Sequence, residues 1–255
     1  MKNTIPVHQL KMDISTGKND YEEEIFNGAI PDLKILHRVS MGKGSHKITC
    51  QENYVTFLLT IKGIGLLRTN CEQQIIEEES FALLPLGVQS TEIILKEDQR
   101  LHYLLFVKKL SDNDIENINP QSDLLKKLYY RRYKDCTPYT EEIKSANTIS
   151  RTILPGGIVP RVALGTVEAM GPDKVGAHSH PMLEQLFVGL SDNLIKVYAG
   201  NASIVMKEFS IVHIPLGSTH WVEVEAHCKM NYMWMDFFLT KDGEAWLNTH
   251  KPINE

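Results

Sequence analysis

Apolar residues alternate with polar ones in short runs along most of this chain, and glycine- and proline-bearing turns cut the runs apart. The first series reads "VTFLLTI", "GLLRT", "QQIIEEES", "FALLPLG", "TEIILKE" and "RLHYLLFVKK". The second reads "RVALGTVEAM", "LEQLFVGL", "LIKVYAG", "ASIVMKE", "SIVHIPLG", "WVEVEA" and "MNYMWMDFFL". A period of two, rich in Val, Ile, Tyr and Phe and broken by frequent turns, predicts antiparallel strands in sandwiches or barrels. The pattern divides the chain into an N-terminal extension (1–30), a first β region (31–110), a joint (111–150) and a second β region (151–245).

The joint is polar and reads as partly helical. "SDNDIENINPQSD" offers Ser122 or Asp123 as a cap for a helix after Pro120. In the basic run "LKKLYYRRYK", Leu125, Leu128, Tyr129 and Arg132 fall at helical spacing, which predicts an amphipathic helix with a solvated basic face.

The two β regions repeat one another. Each carries Pro-Leu-Gly late in its length (85–87 and 215–217), followed by a tyrosine in an apolar run, Tyr103 or Tyr232. An ungapped offset of 132 (176 minus 44) lays "GSHKITCQE" on "GAHSHPMLE". His46 then falls on His178 and Glu52 on Glu184, while Ile48 replaces His180; in the Pro-Leu-Gly register, an offset of 130 (215 minus 85), Ser90 replaces His220. An internal duplication follows, in which only the second copy keeps a full polar set.

Composition adds limits. The 255 residues suffice for two domains that each bury a core without staples. A net charge of −5 argues against binding nucleic acid. Four scattered cysteines without a CxxC pair read as reduced thiols. The start lacks a signal-like apolar stretch and no run is long enough to span a bilayer, so the expectation is a cytoplasmic protein without membrane contact.

The chemistry concentrates in four histidines between 178 and 220. On a strand His178 and His180 share a face, and Glu184 has the same parity. His220, just after its Pro-Leu-Gly turn, can reach the same interior from a later strand. Three imidazoles and a carboxylate facing one interior suit one divalent transition metal per chain, with zinc, manganese, iron and nickel all admitted by this donor set.

At these residues the sequence resembles the cupin superfamily: His178, His180 and Glu184 match its HxH…E motif, and Pro215, Gly217 and His220 match its PxGxxH motif. The flanking glycines of both motifs depart from the pattern, with Phe209 at one such position and Val224 where the family has asparagine. The resemblance implies an all-β bicupin: two double-stranded β-helix (jelly-roll) barrels, the first degenerate and the second metal-binding, paired as a homodimer.

Around the metal, Asp236 is a candidate acid/base, Tyr232 a donor and His213 a third catalytic candidate. Arg161, Glu168 and Trp234 are candidate substrate contacts, and an inward Arg161 would suit an anion. The expected function is non-redox Lewis-acid chemistry on a small polar metabolite, of the sugar or uronate isomerase, lyase or aminohydrolase kind. The alternatives are a metal-dependent dioxygenase, whose aromatic substrate Met182, Phe187, Trp221 and Trp234 would line, and a non-catalytic cupin that binds a small molecule.

Overall fold

The computed structural model describes residues 4–14, 20–118 and 123–243. Strands dominate, and the chain forms two compact units. One comprises Met1–Leu10, Cys136–Gly157 and Arg161–Glu255; the other comprises Lys11–Asp135 and Ile158–Pro160. We call them the histidine unit and the apolar unit. Among the described residues no helix is long and apolar enough to cross a membrane. All four cysteines are free thiols.

In the histidine unit, two sheets face one core. The larger runs in the order Val7–Gln9, Ser210–Ile214, Leu183–Gly189, Lys229–Phe238, Val162–Met170, Ile149–Val159, Pro138–Tyr139. The smaller runs Asp173–His178, His220–Val224, Leu194–Ala199, Ala202–Lys207. Alternation does the sorting: Ile195, Val197 and Ala199 are buried while Leu194 and Lys196, of the other parity, are exposed. Val167, Phe187, Val212 and Met230 of the larger sheet meet Val175, Ile195, Val197, Met206 and Val222 of the smaller. Each such side chain contributes about 1.5–3 kcal/mol on full burial. The ladders end at edge strands rather than closing into a cylinder.

The apolar unit uses one long strand where the sequence pattern predicts two. Tyr54–Arg68 pairs with Ser80–Leu83 and Arg100–Lys109 through its first half, and with Gln73–Glu77 and Ser90–Leu95 through its second. A bulge between Thr60 and Lys62 bends it. Next to the bulge Gly63 has φ +99°, and a Cβ there would lie 2.1 Å from the Arg100 carbonyl oxygen, so only glycine fits. The core gathers Leu36, Ile48, Leu58, Leu67, Ile76, Ile93, Leu95, Leu101, Tyr103 and Leu105.

The joint differs from its predicted helices. A five-residue helix, Asp112–Glu116, starts earlier, with Ser111 and Asp114 forming a reciprocal capping box. Ser122 lies outside the described residues, and Asp123 opens a single 3-10 turn, Asp123–Leu125. The basic run forms no amphipathic α-helix: Tyr129–Arg132 is a strand paired antiparallel with Ser80–Leu83, followed by a 3-10 turn, Tyr133–Asp135. Helical spacing yields here because Tyr129, a strand former, buries itself beside Phe81 on an open sheet edge.

Candidate metal centre

Two identical turns prepare the two ladders. In the histidine unit the Ser218 amide donates to the Pro215 carbonyl, and Gly217 takes φ +71°. In the apolar unit the Val88 amide donates to the Pro85 carbonyl, and Gly87 takes φ +83°. Each turn launches a strand, and the first inward residue of His220–Val224 is His220 itself. Opposite it in the ladder stands His178, the last residue of Asp173–His178.

His180 does not continue that strand. Residues 179–182 form a turn, and the next strand, Leu183–Gly189, starts its alternation afresh. The turn folds His180 back over the pair. Ring centroids lie 4.2 Å apart for His178 and His220, 4.9 Å for His178 and His180, and 5.2 Å for His180 and His220. One ligand nitrogen from each falls within 4.8 Å of the others, and all three side chains are buried.

Two backbone carbonyls aim these rings. His178 Nδ1 is 2.7 Å from the Gly176 oxygen and His220 Nδ1 is 3.1 Å from the Ser218 oxygen. A carbonyl only accepts, so each Nδ1 carries a proton, and a neutral ring in this tautomer presents its Nε2 lone pair. Such tautomer-fixing contacts support metal-ligating imidazoles. The donor set therefore fits a divalent transition metal.

His178 and His180 share a cavity of about 400 Å³ with Gln185, Tyr232, Trp234, Asp236 and residues 140–144, and His220 packs against both rings. Asp236 is 3 % exposed and accepts from Gln185 Nε2 at 2.8 Å. Burial raises its carboxyl to about 7: the Gln185 hydrogen bond opposes the rise, the Glu141 charge adds to it and Lys144 opposes it. Burial likewise pushes the Tyr232 hydroxyl well above the ordinary phenol range, keeping it a donor. Across from them, Lys144 Nζ lies 2.6 Å from Glu141 Oε2 and donates to Ser150 Oγ at 2.9 Å. Burial lowers the Lys144 pKa, and Glu141 counters it.

The structure therefore brings together His178, His180, His220, Tyr232, Trp234 and Asp236 of the residues expected at the site. It does not bring Glu184. Gln185 and Phe187 line the cavity, so Glu184, of opposite parity, points to the other face of its sheet. There its Oε2 pairs with His213 Nε2 at 2.8 Å, which removes His213 from the cavity as well. The connection 179–182 breaks the strand, so the parity of His178 and His180 does not carry through to Glu184. Arg161 sits in a tight turn at φ +61° and donates to the Phe238 and Leu239 carbonyls. Glu168 bonds Arg151 at 3.2 Å and lies 3.6 Å from Lys229, away from the cavity. Gln185, Glu141 and Lys144 escaped the sequence reading. Strand parity restarted at Leu183 would have found Gln185; nothing in the sequence marks the strap 140–144.

No family model matches the sequence, and no curated protein matches it. Solved structures do. Protein Ylba from E. coli is 12 % identical, with TM-score 0.68 over 93 % of this chain and 92 % of its own. A cupin 2 conserved barrel domain protein from Leptotrichia buccalis is 14 % identical, with TM-score 0.61 over 88 % of this chain and 91 % of its own. An oxalate decarboxylase variant from Bacillus subtilis is 11 % identical, with TM-score 0.63 over 92 % of this chain and 76 % of its own. The match spans both units at identities too low to carry an activity, and it establishes that the chain has the cupin fold.

Proposed function

We propose that the protein is a metal-dependent cupin enzyme that moves protons on a small polar metabolite, in the isomerase, lyase or hydrolase class. The observation that carries this reading is a cluster of three converging imidazoles, two of which line one cavity with a buried carboxyl poised near neutrality. His178, His180 and His220 would hold the metal, which when bound supplies Lewis-acid polarisation of a substrate oxygen. Asp236, with a pKa near 7, accepts or gives a proton at physiological pH. Gln185 fixes the orientation of that carboxyl. Tyr232 offers a hydroxyl proton, and Val175, Val222 and Phe187 keep the histidine wall dry. The cavity suits a sugar acid, a ureido acid or a molecule of similar size.

The same reading takes the two units as two cupin barrels, the apolar one without a metal, in a homodimeric cytoplasmic protein. Light scattering checks the dimer.

The test is metal content by mass spectrometry on protein purified without added metal, followed by a proton-exchange screen. Keto-sugars, uronates and ureido acids are incubated in D₂O with the protein and followed by proton NMR. Stoichiometric zinc or manganese with exchange or turnover of one class supports the reading. Stoichiometric iron with substrate-dependent dioxygen consumption replaces it by a dioxygenase. A chain that takes up no metal overturns it.

A further inference from the structure

One amide in the cavity is only half used. Gln185 is 5 % exposed, and its Nε2 is committed to Asp236 Oδ1. The carboxylate oxygen takes the NH₂ end, which fixes the amide and turns Oε1 away from Asp236. Gln185 Oε1 is buried and has no hydrogen-bond partner within the chain. A buried acceptor left unmade destabilises a fold, so its retention on a cavity wall needs a reason.

The rest of the polar lining leans the same way. Glu141, Glu142 and Asp236 are acceptors when ionised, whereas the Lys144 ammonium is already engaged by Glu141 and Ser150. An acceptor-rich wall is complemented by a ligand rich in O–H or N–H.

We infer that Gln185 determines specificity: Asp236 fixes its amide, and its Oε1 accepts a hydrogen bond from a hydroxyl or amide N–H of the substrate. The substrate class narrows to hydroxylated or amide-bearing small molecules, and analogues with a methylated oxygen or nitrogen at that position are refused. Sites that hydrogen-bond a substrate O–H or N–H discriminate strongly against the analogue lacking it, because the buried partner then stays unpaired. The inference rests on the reading of this cavity as a small-molecule site.

The experiment uses metal-reconstituted full chain of measured metal content and matched probe pairs: glycolate with methoxyacetate, lactate with 2-methoxypropanoate, and hydantoate with its N-methylated analogue. Calorimetry gives the affinities. In the parent, the donor-bearing member of at least one pair should bind about tenfold or more tightly. In Gln185→Met, which keeps the volume without the acceptor, the preference should fall to within about twofold; Gln185→Glu should retain it. Should the Met variant not fold, the parent's own ranking of the pairs decides. A parent that discriminates in no pair, or a Met variant that discriminates as the parent does, overturns the inference. Bound metal without discrimination sinks the role of Gln185 alone. Discrimination without bound metal sinks the metal enzyme and leaves Gln185 standing.

Discussion

In the histidine unit, the first inward rung between Asp173–His178 and His220–Val224 is His178 opposite His220. In the apolar unit, the matching rung between Gly44–Thr49 and Ser90–Leu95 is Ile48 opposite Thr91, both buried. His46 sits one inward rung further on, opposite Ile93, where the histidine unit has Val175 opposite Val222. The offset that lays His46 on His178 is therefore displaced by the bulge between Val175 and His178, which the apolar unit lacks. The same Pro-Leu-Gly turn and the same ladder carry a cluster of imidazoles in one unit and an Ile48-centred core in the other. The scaffold does not require the chemistry, so the histidines, Gln185 and Asp236 are held against stability rather than for it.

The widest gap between the units lies in metal binding. His178→Ala or His220→Ala should weaken metal affinity by at least about 100-fold and leave the circular dichroism spectrum unchanged. Glu184→Gln should keep the metal, since that carboxylate faces His213. Metal loss in Glu184→Gln equal to that of His220→Ala would show that the carboxylate turns inward, against the strand parity described here.

Asp236 sharpens the stability side. Its folded pKa of about 7 stands above its ordinary value of 3.8, so the folded state binds more protons than the unfolded chain between these limits. Stability should therefore be greatest below about pH 4, fall as pH rises, and level off above about pH 7. The total loss is on the order of 4 kcal/mol in metal-free protein. Asp236→Asn should lack this slope. Urea midpoints from pH 4 to 8 on the two proteins check it, and parallel curves would refute it.

Ile48 marks the opposite case, a residue that contributes stability and no chemistry. Ile48→Ala should cost about 3 kcal/mol through the cavity it leaves, without change in metal content. A cost below about 1 kcal/mol would mean that the apolar core is looser than its burial implies.

What the sequence discloses and what it hides follow from range. The two Pro-Leu-Gly turns, the strand alternation and the histidine spacing are local, and each reaches the structure nearly intact. Gln185 was hidden because parity holds only while a strand is unbroken, and the turn at 179–182 resets it. Lys144 and Glu141 were hidden because a polar joint gives no sign of lying over a distant cavity; the contact depends on the Gly176 amide donating to the Ile143 carbonyl. The basic run misled because its helical spacing is weak beside the pairing of Tyr129–Arg132 with an open edge.

His46 gives the finest test of the comparison. Its ring is held by Asp20, with Nδ1 2.8 Å from Oδ1, and by the Gly42 carbonyl 3.3 Å from Nε2. The carboxylate and the carbonyl both only accept, so a ring N–H is the donor in each contact, Nδ1–H toward Asp20 and Nε2–H toward Gly42. With Asp20 40 % exposed, solvent screens that pair, and such contacts are worth about 0–1 kcal/mol. His46→Ala should therefore shift the urea midpoint slightly and leave metal content at the parent level. If His46→Ala strips metal as His178→Ala does, the apolar unit is no empty copy, and the division of labour between the two ladders fails.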